Sequence, residues 1–253
     1  MTPASHPSVA PPLSAALRSF EAQWLSRAVT RVADPLASLR EKAMKRVLKL
    51  GLPTPRDETW RYTNLRHLAS HGFVDAPRTS HRELETTASL SLLSADARAA
   101  TVLMVNGHPR LPTGMDAWFN GIEIRGLREL SRIDPALIAA HLEPLSDADQ
   151  ARWGLINTAL FMDGLYLRIS AKVTTPLVIL HLLTSAGADN IAFPRVIIDA
   201  APGSRATIIE HYVEQGANPP PNAMVNCLQW LWLSWRMFSE SMCSAPALVA
   251  KTR

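Results

Sequence analysis

Leu165-Tyr-Leu-Arg-Ile169, Leu177-Val-Ile-Leu-His-Leu-Leu183, Arg195-Val-Ile-Ile-Asp199 and Ala206-Thr-Ile-Ile-Glu-His-Tyr212 are four short runs of β-forming residues in close succession. Their reading decides the fold. The separators are Thr174-Thr175-Pro176, Gly187 to Asn190, and Ala201-Pro202-Gly203-Ser204, all rich in turn formers. Nothing between the runs is long enough for the helix of a βαβ crossover. Regularly spaced short strands of this kind are expected of a sandwich, a barrel or a β-solenoid, and periodicity alone leaves all three open. Val196-Ile197-Ile198 and Thr207-Ile208-Ile209 carry apolar side chains toward both sides of a strand. That spelling predicts sheets with layers packed on each face.

Upstream the texture is helical. Leu13, Leu17, Phe20, Trp24 and Ala28 recur at spacings of three and four, which predicts one buried helix face. In the next helix Asp34 is expected to cap, Pro35 to occupy the first turn, and Gly51 and Pro53 to stop it. Its predicted stripe is Leu36, Leu39, Ala43, Val47 and Leu50. Lys42, Lys45, Arg46 and Lys49 fall off that stripe and read as a solvated face. Val102–Val105 before Asn106-Gly107 reads as a hairpin strand, followed by Ile122–Ile124. Asp134-Pro135 opens a short helix, with Ile133 and Ile138 placed as a hydrophobic staple. Ser146 and Asp149 form a capping box for a helix running to about Phe161.

Composition bounds the function. The chain has 253 residues, 47% of them hydrophobic, with two cysteines, which excludes a disulfide scaffold and fits a reducing, cytoplasmic compartment. No apolar run reaches the roughly 18–20 residues needed to span a membrane. The formal charge of +4 is uneven: residues 18–66 hold 11 Lys and Arg against 5 Asp and Glu. A nucleic-acid surface would have to lie there, but no aromatic residues interleave with Lys42, Lys45, Arg46 and Lys49 as a stacking platform requires. Residues 1–12 are rich in Pro, Ser and Ala and are expected to be disordered. Cys227, Cys243 and three of the seven tryptophans fall within residues 227–253.

The census of reactive groups assigns no catalytic residue and no metal ligand. There is no phosphate-binding glycine loop and no nucleophile elbow; Gly203-Ser204-Arg205 reads as a turn. His67 and His71 share a helical spacing but lack the intervening glutamate of a metalloprotease pair, and read as surface or capping groups. Cys227 and Cys243 have neither a CxxC spacing nor a nearby histidine. Glu210 and Tyr212 are expected to face one side of a strand and His211 the other, so the three do not form one catalytic group. Asp163 is expected to bond backbone N–H groups of its own Asp-Gly turn.

Three stretches together resemble the SufB/SufD family. The first, Gly51-Leu-Pro-Thr-Pro-Arg56-Asp-Glu58-Thr-Trp60-Arg61-Tyr62-Thr63-Asn64-Leu65, is similar to a motif near the start of those proteins, and its spelling favours the SufD branch. The second, Asn157-Thr-Ala159-Leu-Phe161-Met-Asp163-Gly164, resembles the step where the family enters its β-helix. The third, Pro194-Arg195 through Ala206 to Glu210-His211-Tyr212, resembles its rungs. The resemblance implies a mixed α and β fold: an N-terminal helical domain followed by a right-handed parallel β-helix. It implies a non-enzymatic scaffold of the Suf iron–sulfur cluster assembly machine. It also implies a SufB-like paralogue along the β-helix and a SufC-like ATPase as partners, with an iron–sulfur cluster, and room for a flavin, at the level of the complex. Neither nucleic acid nor membrane is among the implied partners.

On this reading residues 13–160 form the mainly helical domain with short strands, and 161–226 the first rungs. Residues 227–253 depart from the rung pattern and are expected to be an atypical tail, out of frame with a SufD-type sequence. The β-helix is then incomplete at its C-terminal end, as expected of a truncated and assembly-impaired form of the scaffold, and the SufC-docking helices have no counterpart. Two other classes fit parts of the sequence. One is a β-solenoid enzyme acting on polysaccharide or acyl groups, which requires Asp163, Asp199 and Glu210 to converge. The other is a nucleic-acid-binding protein using residues 18–66.

Overall fold

Leu17 and Phe20 give helix α1 (Ala15–Thr30) its buried face, and both are at most 3% exposed. The computed structural model describes residues 13–30, 34–76, 101–111, 117–142, 151–184, 189–215, 224–225 and 228–233. Helix α2 (Ala37–Leu50) buries Arg40, Ala43, Met44 and Val47, the i, i+3, i+4, i+7 set of a single face. Two sequence expectations shift here. Asp34-Pro35-Leu36 forms a turn before the helix, so Pro35 lies outside it and Leu36 is its N-cap residue. Asp34 still serves the helix start, accepting the Leu36 N–H at 3.0 Å and pairing with Arg40 Nε at 2.9 Å. Its inner face takes Arg40 and Met44 beside Ala43 and Val47, and Leu50 is left 37% exposed.

After Gly51 come a 3-10 turn (Glu58–Trp60), α3 (Arg66–Ser70) and β1 (Val74–Asp75). Then follow β2 (Thr101–Val105), β3 (His108–Arg110), β4 (Ala117–Phe119) and β5 (Ile122–Gly126), and helices α4 (Leu127–Ile133), α5 (Pro135–Leu142) and α6 (Ala151–Leu160). Asn106 and Gly107 both have positive φ, at 48° and 81°, so the β2–β3 hairpin turns where the Asn-Gly pair predicts. Asp134 caps α5 through the Leu137 N–H at 3.0 Å. The expected staple is not made: Ile138 is fully buried but Ile133 is 62% exposed. Ser146 and Asp149 lie outside the described residues.

The strand region is built from β6 (Gly164–Ile169), β7 (Leu177–Thr184), β8 (Asn190–Ala192), β9 (Arg195–Ala200), β10 (Ile208–Gln215), β11 (Met224–Val225) and β12 (Leu228–Leu233). They form three sheets, visited in strict rotation. β6, β9 and β12 are parallel neighbours in one sheet, β7 and β10 in a second, and β8 and β11 in a third. Gly164 lies beside Arg195 and Leu177 beside Ile208, the same offset in both sheets. The four runs are thus strands of a parallel coil, and among the described residues no sheet closes into a barrel. The earlier strands extend its first turn: β2 pairs parallel with β7, β5 pairs antiparallel with β6, and β1 pairs parallel with β8.

Pleat alternation divides the β6–β9 sheet between two cores. Leu165, Leu167, Val196 and Ile198 enter an apolar interior together with Val102, Met104, Leu177 and Ile179. Tyr166 and Ile197 point the other way, into the core formed with α1, α2 and α4–α6. Two-sided burial of Val196-Ile197-Ile198 agrees with its spelling. The other such run does not: Ile209 is 40% exposed. Parallel pairing continues past Asn226 in the described residues. Leu228–Leu233 pairs in parallel with the whole of β9, from Leu228 beside Arg195 to Leu233 beside Ala200. Its β-forming composition suffices for the ladder although flanking turn formers are missing.

Candidate functional site

The step from α6 into β6 concentrates the buried polar groups. Asn157 Nδ2 donates to the Pro194 carbonyl at 2.8 Å, and Arg195, fully buried, donates to Thr158 Oγ1 at 2.7 Å. Arg40 donates to the Phe161 carbonyl at 2.6 Å and lies 4.0 Å over the Phe161 ring. Arg27 donates to the Leu160 carbonyl and pairs with Asp75. The last carbonyls of a helix have no partners within it and carry partial negative charge, so guanidinium groups from α1 and α2 are well placed there. Asp163 accepts the Gly164 N–H at 2.9 Å, as its Asp-Gly setting predicts, and the Arg128 N–H at 3.1 Å, which caps α4. A Cβ on Gly164 would stand 2.0 Å from the Arg195 carbonyl oxygen. Both later motifs therefore meet at one joint, where the helical layer is fixed to the coil.

The first motif splits between anchor and display. Asp57 accepts both terminal nitrogens of Arg152, at 2.9 and 2.7 Å, and the Thr54 N–H at 2.6 Å. Burial acts to raise the Asp57 pKa, but the Thr54 and Arg152 donors outweigh it and hold the carboxyl below its ordinary value. Trp60 packs near Trp153, with ring centroids 6.2 Å apart. Arg56, Glu58, Arg61 and Tyr62 stay exposed, Tyr62 to 92%.

A second polar cluster stands on the β7–β10 pair. His181 is 3% exposed and its ring stacks on Tyr212, with centroids 4.5 Å apart and planes 7° from parallel. Tyr212 donates to Glu210 Oε2 at 2.5 Å, and Glu210 Oε1 lies 3.7 Å from His181 Nε2. Glu210 and Tyr212 do share a strand side without His211. The partner that sequence reasoning missed is His181, an isolated imidazole within the apolar run Leu177–Leu183. That isolation was its signal.

The other candidates disperse. The His67 and His71 rings lie 4.2 Å apart and tilted by 31°, and His71 Nδ1 contacts the His67 carbonyl at 2.7 Å beyond the end of α3, a capping arrangement. Asp199 accepts the Tyr166 hydroxyl at 2.7 Å. Burial first, then that carboxylate, push the Tyr166 pKa well up. Ser204 donates to the Ala201 carbonyl within its turn. Asp163, Asp199 and Glu210 thus serve three separate environments, and the convergence a solenoid hydrolase needs is not found. Cys227 and Cys243 lie outside the described residues. Among the described residues no three His, Cys, Asp or Glu side chains gather as a metal-ligand set. In a cleft of about 210 Å³ between α1, the β2–β3 turn and β8, Arg27 pairs with Asp75, Asn106 bonds Thr184, and His108 Nδ1 lies 3.7 Å from Asp163. No helix among the described residues is long and apolar enough to cross a membrane.

A helical layer bolted onto a parallel coil by a buried arginine joint defines the class of protein. Comparison with known proteins gives the family. The family model described as "SufBD protein N-terminal region" matches residues 23–179, and the chain belongs to the SufB/SufD family. It is also 25% identical over 181 residues to an iron–sulfur cluster assembly SufBD family protein of Synechocystis sp.. That match covers 70% of this chain and 39% of the relative's length.

Proposed function

We propose that the chain is a SufD-like scaffold in the assembly of iron–sulfur clusters and catalyses no reaction of its own. The observation that carries this reading is the joint at Asn157, Asp163, Gly164 and Arg195, where the motifs resembling the family do structural work in the positions the family spelling requires. The three sheets visited in rotation support a right-handed parallel β-helix, the hand preferred by parallel crossovers. Its open strands offer a surface for a SufB-like paralogue, and a SufC-like ATPase completes the proposed complex in the cytoplasm. The iron–sulfur cluster is then the cargo of the complex. Co-expression under anaerobic conditions with a tagged paralogue and ATPase tests the assignment. The chain is expected to co-purify with the paralogue through a salt wash; a soluble, folded chain that is captured by neither protein contradicts the proposal.

A further inference from the structure

Among the described residues His181, Glu210 and Tyr212 meet beside the apolar interior formed by Leu177, Ile179 and Met104. Met104, His181 and Tyr212 are register neighbours across β2, β7 and β10, and Ile179 is the neighbour of Glu210. His181 Nε2 and Glu210 Oε1 are both buried, and neither has a hydrogen-bond partner among the described residues. They face each other at 3.7 Å, beyond the roughly 2.7–3.2 Å of an N–H···O bond. A buried donor or acceptor without a partner is disfavoured, so a pair of them so close calls for an occupant.

We propose that His181 and Glu210 bind one divalent transition-metal ion, with Nε2 and Oε1 as ligands and water in the remaining positions. Ligand bonds of about 2.0–2.2 Å at a tetrahedral ion place two donor atoms about 3.4 Å apart. The pair needs to close by only a few tenths of an ångström. One imidazole with one carboxylate suits zinc or ferrous iron. Tyr212 holds both donors: its ring lies flat on His181 and its hydroxyl bonds the other carboxylate oxygen. Tyr212 is also 46% exposed, so water reaches the edge of the site. With two protein ligands the ion is exchangeable. The inference stands on these side chains and does not depend on which proteins the chain meets.

The test uses the full chain, stripped with a chelator. Zn²⁺ is titrated by calorimetry and Co²⁺ by its visible ligand-field absorption. One ion per chain is expected, displaced as the pH falls and protons compete for the imidazole. His181→Phe keeps a ring against Tyr212 but removes the nitrogen; Glu210→Gln keeps the shape but removes the charge. Each is expected to weaken binding by about tenfold or more. The double variant His67→Gln with His71→Gln is expected to bind like the parent. Circular dichroism reports folding, and the partly exposed Glu210 position keeps the test decisive if His181→Phe unfolds. Absence of binding to the parent chain overturns the proposal, as does undiminished binding in folded Glu210→Gln. A cobalt–thiolate charge-transfer band overturns it too, because that places the ion on cysteine.

Discussion

A methyl group at position 164 has nowhere to go. Its carbon would stand 2.0 Å from the Arg195 carbonyl oxygen and 2.8 Å from Leu127 Cδ1, so strands β6 and β9 would have to separate where α6 hands over to the coil. Gly164→Ala is expected to lower unfolding free energy by about 3 kcal/mol, read as a drop in the urea midpoint with the slope unchanged. A midpoint like the parent's would mean that the joint yields. Asp163 was legible in the sequence because a carboxylate before glycine has an obvious local task. Arg40 and Arg195 were less legible, since a long cation on a helix or strand ordinarily reads as surface. Their burial is set by acceptors at Thr158 and Phe161, more than thirty residues away in each case.

Between elements, one charged tie in the helical layer joins the turn before Glu58 to α6. Asp57 holds Arg152 with two bonds, and Arg152 also donates to the Leu52 carbonyl at 3.1 Å. Because the folded-state pKa of Asp57 is depressed, its contribution is present above the unfolded carboxylate range and is lost as pH falls through the folded value. Asp57→Asn should therefore lower the melting temperature at pH 7, and the gap to the parent should shrink as pH is taken down through the acid range toward 3. A gap independent of pH would show that the charge is irrelevant. The elements themselves were well marked by period and punctuation. The buried face of α2 takes Arg40 and Met44 beside the predicted Ala43 and Val47, because Arg40 meets the Asp34 carboxylate and the Phe161 carbonyl there. The β12 strand escaped notice because its Trp-rich spelling lacks turn formers, while ladder pairing with β9 needs only backbone groups in the right place.

At the scale of the whole molecule, strand spacing could not choose between sandwich, barrel and solenoid. The choice rests on non-local register, Gly164 beside Arg195 and Leu177 beside Ile208, which no local pattern encodes. Two-sided burial was the sequence feature closest to it, and Val196-Ile197-Ile198 shows why: one sheet serves both the coil interior and the helical layer. Ile209 breaks that rule, with 40% of its surface exposed on the outer side of β10.

The proposed role is tested most directly by cluster formation in a reconstituted mixture of paralogue, ATPase, iron and a sulfide source, followed by iron–sulfur absorption under anaerobic conditions. Adding the chain is expected to raise the amount of cluster formed on the complex, and the chain without the paralogue is expected to form none. A cluster yield unchanged by a chain that is folded and bound to the paralogue would contradict the assignment.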